Sequence, residues 1–171
     1  MQRRRVVLTG LGIISPVGNT VQEAWNNILA GKSGIARVTR FDPSRLASQI
    51  AGEVKGFDVA QYLSPKEARR MDTFIHYGMA AGLPAWRDSG MQVTADNAER
   101  LGINFGSGIG GLPLIEAMHD ELRKGGPRRI SPFFIPGTII NMIAGNLSIL
   151  LGAQGPNLAI VPSSMMTPFS L

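Results

Sequence analysis

The stretch Thr138 to Leu151 is apolar on nearly every face, with Asn141 and Asn146 among its few polar residues. A helix of that composition has no side to turn toward water, so it is expected to be buried on all sides. It falls short of the ~20 residues a membrane span needs. Other parts of the chain are therefore expected to cover it. Its composition agrees: 44% of the 171 residues are hydrophobic and 17% charged, a profile of extensive burial and not of disorder.

The surrounding pattern alternates strands and helices. Arg5 to Leu11 combines β-branched residues with a Gly-rich exit, as a buried first strand does. Thr20-Val21-Gln22-Glu23 is a capping-box pattern opening a helix that carries Trp25, Ile28 and Leu29 and stops at Gly31. After a loop, Gly31 to Pro43, a short strand is expected around Gln49 to Val54. Ser64-Pro65-Lys66-Glu67 joins an N-cap, a proline at the first helical position and a capping Glu, and predicts a helix running toward Ser89. Pro84 lies inside it and is expected to kink it or cost about 3 kcal/mol. Arg100 to Phe105 reads as a strand, Gly111 to Lys124 as a helix, Gly125-Gly126-Pro127 as a loop and Leu158 to Val161 as a last strand. The alternation indicates an α/β architecture with a parallel sheet.

The sequence holds no Cys, which removes disulfides, thiolate metal sites and Cys nucleophiles. Met1-Gln2-Arg3-Arg4-Arg5 is basic, but the apolar run behind it is broken by Thr9, Gly10 and Gly12 and is too short for a signal peptide. A soluble, cytoplasmic chain is the expectation, with no membrane partner. A net charge of +5 and a pI near 10.2 favour an acidic partner, and charge alone does not choose among nucleic acid, anionic lipid and an acidic protein. No aromatic residues interleave with the charges as single-strand binders require, so no nucleic-acid partner is expected. Two basic groups stand out, Lys66/Arg69/Arg70 and Lys124/Arg128/Arg129; the plain reading of each is a solvated face.

Gly106-Ser107-Gly108-Ile109-Gly110-Gly111 follows a strand, opens a helix and fits G-x-G-x-x-G. A dinucleotide site also needs an acid ~20 positions on, at the end of the next strand. The nearest acids, Glu116, Asp120 and Glu121, lie within the following helix. A nucleotide-dependent oxidoreductase is thus an alternative without its second element, and close packing with tight turns accounts for the glycines. Neither His76 nor His119 stands in a metal-ligand spacing. No metal and no cofactor are expected.

Taken together, Val6 to Gly12 with Ser15-Pro16-Val17-Gly18, Gly31-Lys32-Ser33-Gly34-Ile35, Arg70-Met71-Asp72 leading to Tyr77-Gly78, the Gly106–Gly111 segment, and Gly125 to Pro136 form a specific combination. With them, residues 3 to 161 resemble the first part of a β-ketoacyl-acyl-carrier-protein synthase of type II. The resemblance implies the first part of a thiolase-like α/β fold and the decarboxylative Claisen condensation of fatty-acid elongation. It implies no cofactor, an acyl carrier protein as partner and a homodimer in the full-length family. It also implies that Ile109 and Phe134 border the acyl pocket, Phe134 across the dimer interface, and that Lys66, Arg69, Arg70, Arg128 and Arg129 meet the carrier protein. Without the resemblance, Ile109 and Phe134 read as core.

After Val161 the sequence departs from the family. Where a reactive Cys is expected between small residues, it reads Pro162-Ser163-Ser164-Met165-Met166-Thr167-Pro168, which places Ser164 at the nucleophile position. A hydroxyl without an adjacent base is a poor nucleophile, and the family's two catalytic histidines lie in its second half. The expected organisation is therefore residues 1–161 as a partial N-terminal half and 162–171 as a non-matching tail. Such a chain is expected to be inactive in condensation, and a non-catalytic carrier-protein-binding module is the alternative. Uncovered, the Thr138 to Leu151 helix would expose side chains worth ~1.5–3 kcal/mol each when buried, so poor solubility is expected.

Overall fold

The structure, a computed structural model, describes residues 5–161. The described residues divide into two compact units, 5–58 with 80–91 and 59–79 with 92–161.

In the first unit, α1 (Val21–Leu29) is opened by Thr20, whose hydroxyl accepts the Glu23 N–H at 3.2 Å. The Glu23 carboxylate reaches back one residue further than a capping box does, accepting the Asn19 N–H at 2.8 Å. The helix ends at Ala30, followed by Gly31 with φ +66°. Two short strands, β1 (Ala36–Arg37) and β2 (Ile50–Ala51), pair antiparallel. Glu53 ties down the adjoining turn by accepting the Thr39 N–H and hydroxyl and the Arg40 N–H. These bonds, the Thr39 hydroxyl first, hold its carboxyl below the ordinary glutamate range.

The first strand expected at Arg5 to Leu11 does not form. Val6 and Leu8 are 92% and 87% exposed, and the segment joins no ladder among the described residues. A strand exists only where a neighbour takes up its N–H and C=O groups. What holds this segment is close approach. A Cβ on Gly12 would fall 2.0 Å from the Ala81 carbonyl oxygen, so only glycine permits the contact, and the Leu11 N–H donates to Asp88 at 2.8 Å.

In the second unit, Ser64 builds the expected capping box with Glu67, but the helix it opens, α2 (Pro65–Ala68), lasts four residues. The chain restarts as α3 (Thr73–Asp88), whose residues from Ala80 on belong to the first unit and which continues through Pro84. The single helix expected from Ser64 to Ser89 is broken because Asp72 is bonded elsewhere. Its N–H donates to the Gly137 carbonyl at 3.3 Å, and its own carbonyl starts α3 by accepting from Ile75 and His76.

Next come β3 (Ile103–Gly106), α4 (Leu112–Gly125), α5 (Phe134–Thr138), α6 (Met142–Leu151) and β4 (Asn157–Ile160). Strands β3 and β4 pair parallel, from Ile103↔Asn157 to Gly106↔Ile160. Helix α6 starts later than the apolar run does. The Thr138 carbonyl is given to the Gly111 N–H at 2.9 Å, and its hydroxyl bonds back to the Phe134 carbonyl, which closes α5.

Ile75 and Met79 of α3 and Ile143, Ala144 and Leu147 of α6 form the core of this unit. A Cβ on Gly78 would lie 2.3 Å from the Ile143 side chain, so the two helices meet at a glycine. The expectation of burial on all sides fails for the rest of α6: Ile149 is 79% and Leu150 53% exposed.

Candidate functional site

The second unit carries all the residues singled out from sequence within the described range. The turn from Gly106 to Gly111 is fixed at both ends. The Ser107 N–H donates to the Ile160 carbonyl at 3.1 Å, continuing the strand ladder, and the Gly110 N–H donates to the Ser107 hydroxyl at 3.2 Å. Gly110 takes φ +86°, which favours glycine. The Gly111 N–H goes to Thr138, and the Leu114 N–H goes to the Asp72 carboxylate at 2.7 Å.

These bonds argue against a phosphate at the turn. A pyrophosphate needs free N–H groups and a positive helix end; the N–H groups of Ser107, Gly110, Gly111, Leu112 and Leu114 are engaged, and a carboxylate already occupies the start of α4.

The turn and α5 are joined through Gly111 and Thr138, which places the segments of Ile109 and Phe134 side by side. Their side chains differ. Ile109 is 62% exposed and Phe134 half-buried, so neither is the core residue that the plain reading made it.

The basic residues also differ from one another. Lys66 and Arg128 are exposed and have no ion pair among the described residues. Arg129 pairs with Glu121 at 3.2 Å. The Arg69 Nε donates to the Pro65 carbonyl at 3.0 Å. The Arg70 guanidinium lies 4.4 Å from the centre of the Phe133 ring, a cation–π contact that connects the first basic group to the entrance of α5. A groove of about 300 Å³ opens beside it, lined by Glu67, Arg70, Phe133, Pro136, Met142 and Asn146. Hydrogen bonds from the Ser64 hydroxyl and then its N–H hold the Glu67 carboxyl below the ordinary glutamate range.

His76 is half-buried, and its Nε2 lies 2.9 Å from the Ala68 carbonyl oxygen, tying α2 to α3. His119 is exposed, with Nδ1 3.8 Å from Asp120. Among the described residues no three His, Asp or Glu side chains gather as metal ligands, and no helix is long and apolar enough to cross a membrane. Ser164 lies outside the described residues.

Sequence reasoning missed Asp72 as a buried, bonded group. A signal was present: α4 opens at Gly111-Leu112-Pro113 with no Ser, Thr, Asp or Asn at its cap, so a cap had to come from elsewhere in the chain.

The parallel strand pair, the glycine turn over a helix start and the apolar helix α6 lie within a fold shared with solved ketosynthases. The structure overlays the ishigamide ketosynthase/chain length factor with a TM-score of 0.78 at 27% identity, covering 94% of this chain and 40% of that one. It overlays a type II PKS ketosynthase, solved in complex with its acyl-carrier protein and bound to the hexaketide, with a TM-score of 0.73 at 28% identity; this match covers 92% of this chain and 41% of the other. Residues 3–163 match the family description "Beta-ketoacyl synthase, N-terminal domain", and the chain belongs to that family.

Within the family it is similar to 3-oxoacyl-[acyl-carrier-protein] synthase 2 of Vibrio cholerae serotype O1, 58% identical over 160 residues covering 94% of this chain and 39% of that protein. The same-named protein of Coxiella burnetii is 52% identical over 161 residues, again covering 94% of this chain and 39% of its own length. The chain thus spans about two fifths of the length of the curated relatives it matches.

Proposed function

We propose that this chain carries the carrier-protein-facing rim and one wall of the acyl pocket of a type 2 3-oxoacyl-acyl-carrier-protein synthase. The observation that carries the reading is the 58% identity to a protein of that name, over nearly the whole of this chain. In the reaction, an acyl group passes from a carrier protein to an enzyme thiol. Malonyl-carrier protein then loses CO₂, and the resulting enolate attacks the thioester.

In this chain Ile109 and Phe134 border the acyl group. Lys66, Arg69, Arg70, Arg128 and Arg129 meet the acidic carrier protein, raising its association rate and orienting it. The acylation step needs a thiolate, which no residue of the sequence can provide. Ser164, at the nucleophile position, is a weak substitute without a neighbouring base. The 171 residues by themselves therefore bind carrier protein without condensing its cargo.

The open cations Lys66 and Arg128 also fit a second reading, a non-catalytic carrier-protein-binding module. Titrating acyl carrier protein against the chain and against an R128E/R129E variant tests the shared premise. Binding that the variant abolishes supports it, and equal binding by both sinks it. Following malonyl decarboxylation and condensed product separately then tests inactivity, which turnover by the purified chain would refute.

A further inference from the structure

We propose that Asp72 is a positioning residue: its buried carboxylate caps α4 from a distant segment and thereby fixes the turn carrying Ile109 against α5. The pocket role of that turn rests on the ketosynthase reading above; the cap itself does not.

Asp72 is 6% exposed, and its Oδ2 accepts the N–H of Leu114, the third residue of α4, at 2.7 Å. That is the bond an N-cap side chain ordinarily makes. The residue at the N-cap position, Gly111, has no side chain to make it. Nor could it acquire one, since a Cβ there would lie 2.9 Å from the Asp72 Cβ, the Asp72 Oδ2 and the Thr138 Cα. Gly111 and Asp72 therefore work as one device, the glycine vacating the space that the aspartate fills. A negative group at this helix end is also favoured by the positive end of the α4 dipole.

The device has three attachments. The Asp72 N–H holds the Gly137 carbonyl of α5, its side chain holds α4, and its carbonyl begins α3. The Gly111 N–H, at the foot of the turn, closes the circuit by bonding Thr138 of α5. Ile109 is two residues before that bond and 62% exposed, so little packing of its own fixes its position. What the turn has instead is the frame built on Asp72.

The test uses the 171-residue chain at high dilution and compares Asp72→Ala with Asp72→Asn, which keeps an acceptor oxygen of similar reach. Hydrogen exchange is read at the Leu114 amide and, as a reference, at the Leu147 amide of α6. Since the parent sequence has no Cys, Ile109→Cys also takes a single fluorinated tag whose ¹⁹F resonance reports the turn. Asp72→Ala is expected to speed Leu114 exchange about tenfold or more relative to Leu147, as befits the loss of a charged acceptor, and to broaden or split the ¹⁹F resonance. Asp72→Asn is expected to stay near the parent on both. Should Asp72→Ala not fold, Asp72→Ser, which lacks the Oδ2 that accepts from Leu114, takes its place.

Three results overturn the proposal: an unchanged Leu114 amide and tag in the truncated variant, equal acceleration at Leu114 and Leu147, or Asp72→Asn failing as fully as Asp72→Ala. Carrier-protein binding by the parent, measured alongside, separates the two claims. Its absence removes the carrier-protein-binding role proposed above and leaves the cap standing.

Discussion

Both units contain a helix opened by a well-formed cap, yet they bury their side chains to different extents. In the unit of residues 59–79 and 92–161, Ile75, Met79, Ile143, Ala144 and Leu147 are almost fully enclosed, and two strands run parallel in register. In the unit of residues 5–58 and 80–91, α1 buries only Ala24; Trp25 and Ile28, which line an apolar trough of about 290 Å³, and Leu29 stand more than half exposed. Caps and turn glycines act within a few residues and make helices wherever they occur. Strands and cores require partners distant in sequence. The second unit finds such partners among the described residues; the Arg5 to Leu11 segment of the first finds no strand to pair with.

The sharpest way to break this comparison is to cut equivalent apolar mass from each unit. Ile143→Ala should cost the second unit about 2–5 kcal/mol, as truncation in a closed core does. Ile28→Ala, at a site 54% exposed, should change stability by less than about 0.5 kcal/mol. Denaturant titration followed by hydrogen exchange in each unit reads both, and equal losses would show that the two units do not differ in packing. A related contrast uses a hydrophobic dye. Leu8→Glu with Trp25→Ser should lower dye binding by the chain, whereas an unchanged signal would place the sticky surface elsewhere.

A smaller effect distinguishes the cations of the second unit. Arg128 has no ion pair among the described residues and Arg129 has Glu121. Arg128→Glu should therefore weaken carrier-protein binding about tenfold, chiefly through the association rate. Arg129→Gln, which removes a charge already partly answered, should weaken it less. The reverse order, measured by stopped-flow association, would mean that the rim is not read as isolated charges.

The smallest effect lies at the cap of α2. Ser64→Ala should destabilise that turn by ~1 kcal/mol and raise the titration midpoint of Glu67, because the Ser64 hydroxyl and N–H favour its charged form. A carboxyl lowered in the folded state gives stability that is present above its unfolded value and lost as pH falls through the folded one. The contribution of this cap should accordingly be constant around neutral pH and disappear only below the ordinary carboxylate range. An NMR titration in which Ser64→Ala leaves the Glu67 midpoint in place would remove the capping box from the account.

Much of this was legible in the sequence, and what was not has a common cause. The caps at Thr20 and Ser64 and the helix from Gly111 to Lys124 follow from local chemistry, and the parallel character of the final strand from the alternation of strands with helices. The break between α2 and α3 was not legible, since nothing local announces that Asp72 is claimed by Leu114 and Gly137. The late start of α6 was hidden for the same reason: the apolar run predicts a helix from Thr138, but its carbonyl is bonded to Gly111. For the candidate site, sequence supplied the residues and the structure distinguished among them. Arg128 and Lys66 are open, Arg129 and Arg70 are engaged, and the N–H groups at both ends of the glycine turn are already bonded.

The central claim, that this chain presents the carrier-protein rim of a condensing enzyme, is tested most directly by titrating acyl carrier protein into it across a series of salt concentrations. A basic rim meeting an acidic partner predicts saturable binding that weakens steadily as added salt shortens the screening length below ~10 Å. No binding at low salt, or binding indifferent to salt, would contradict it.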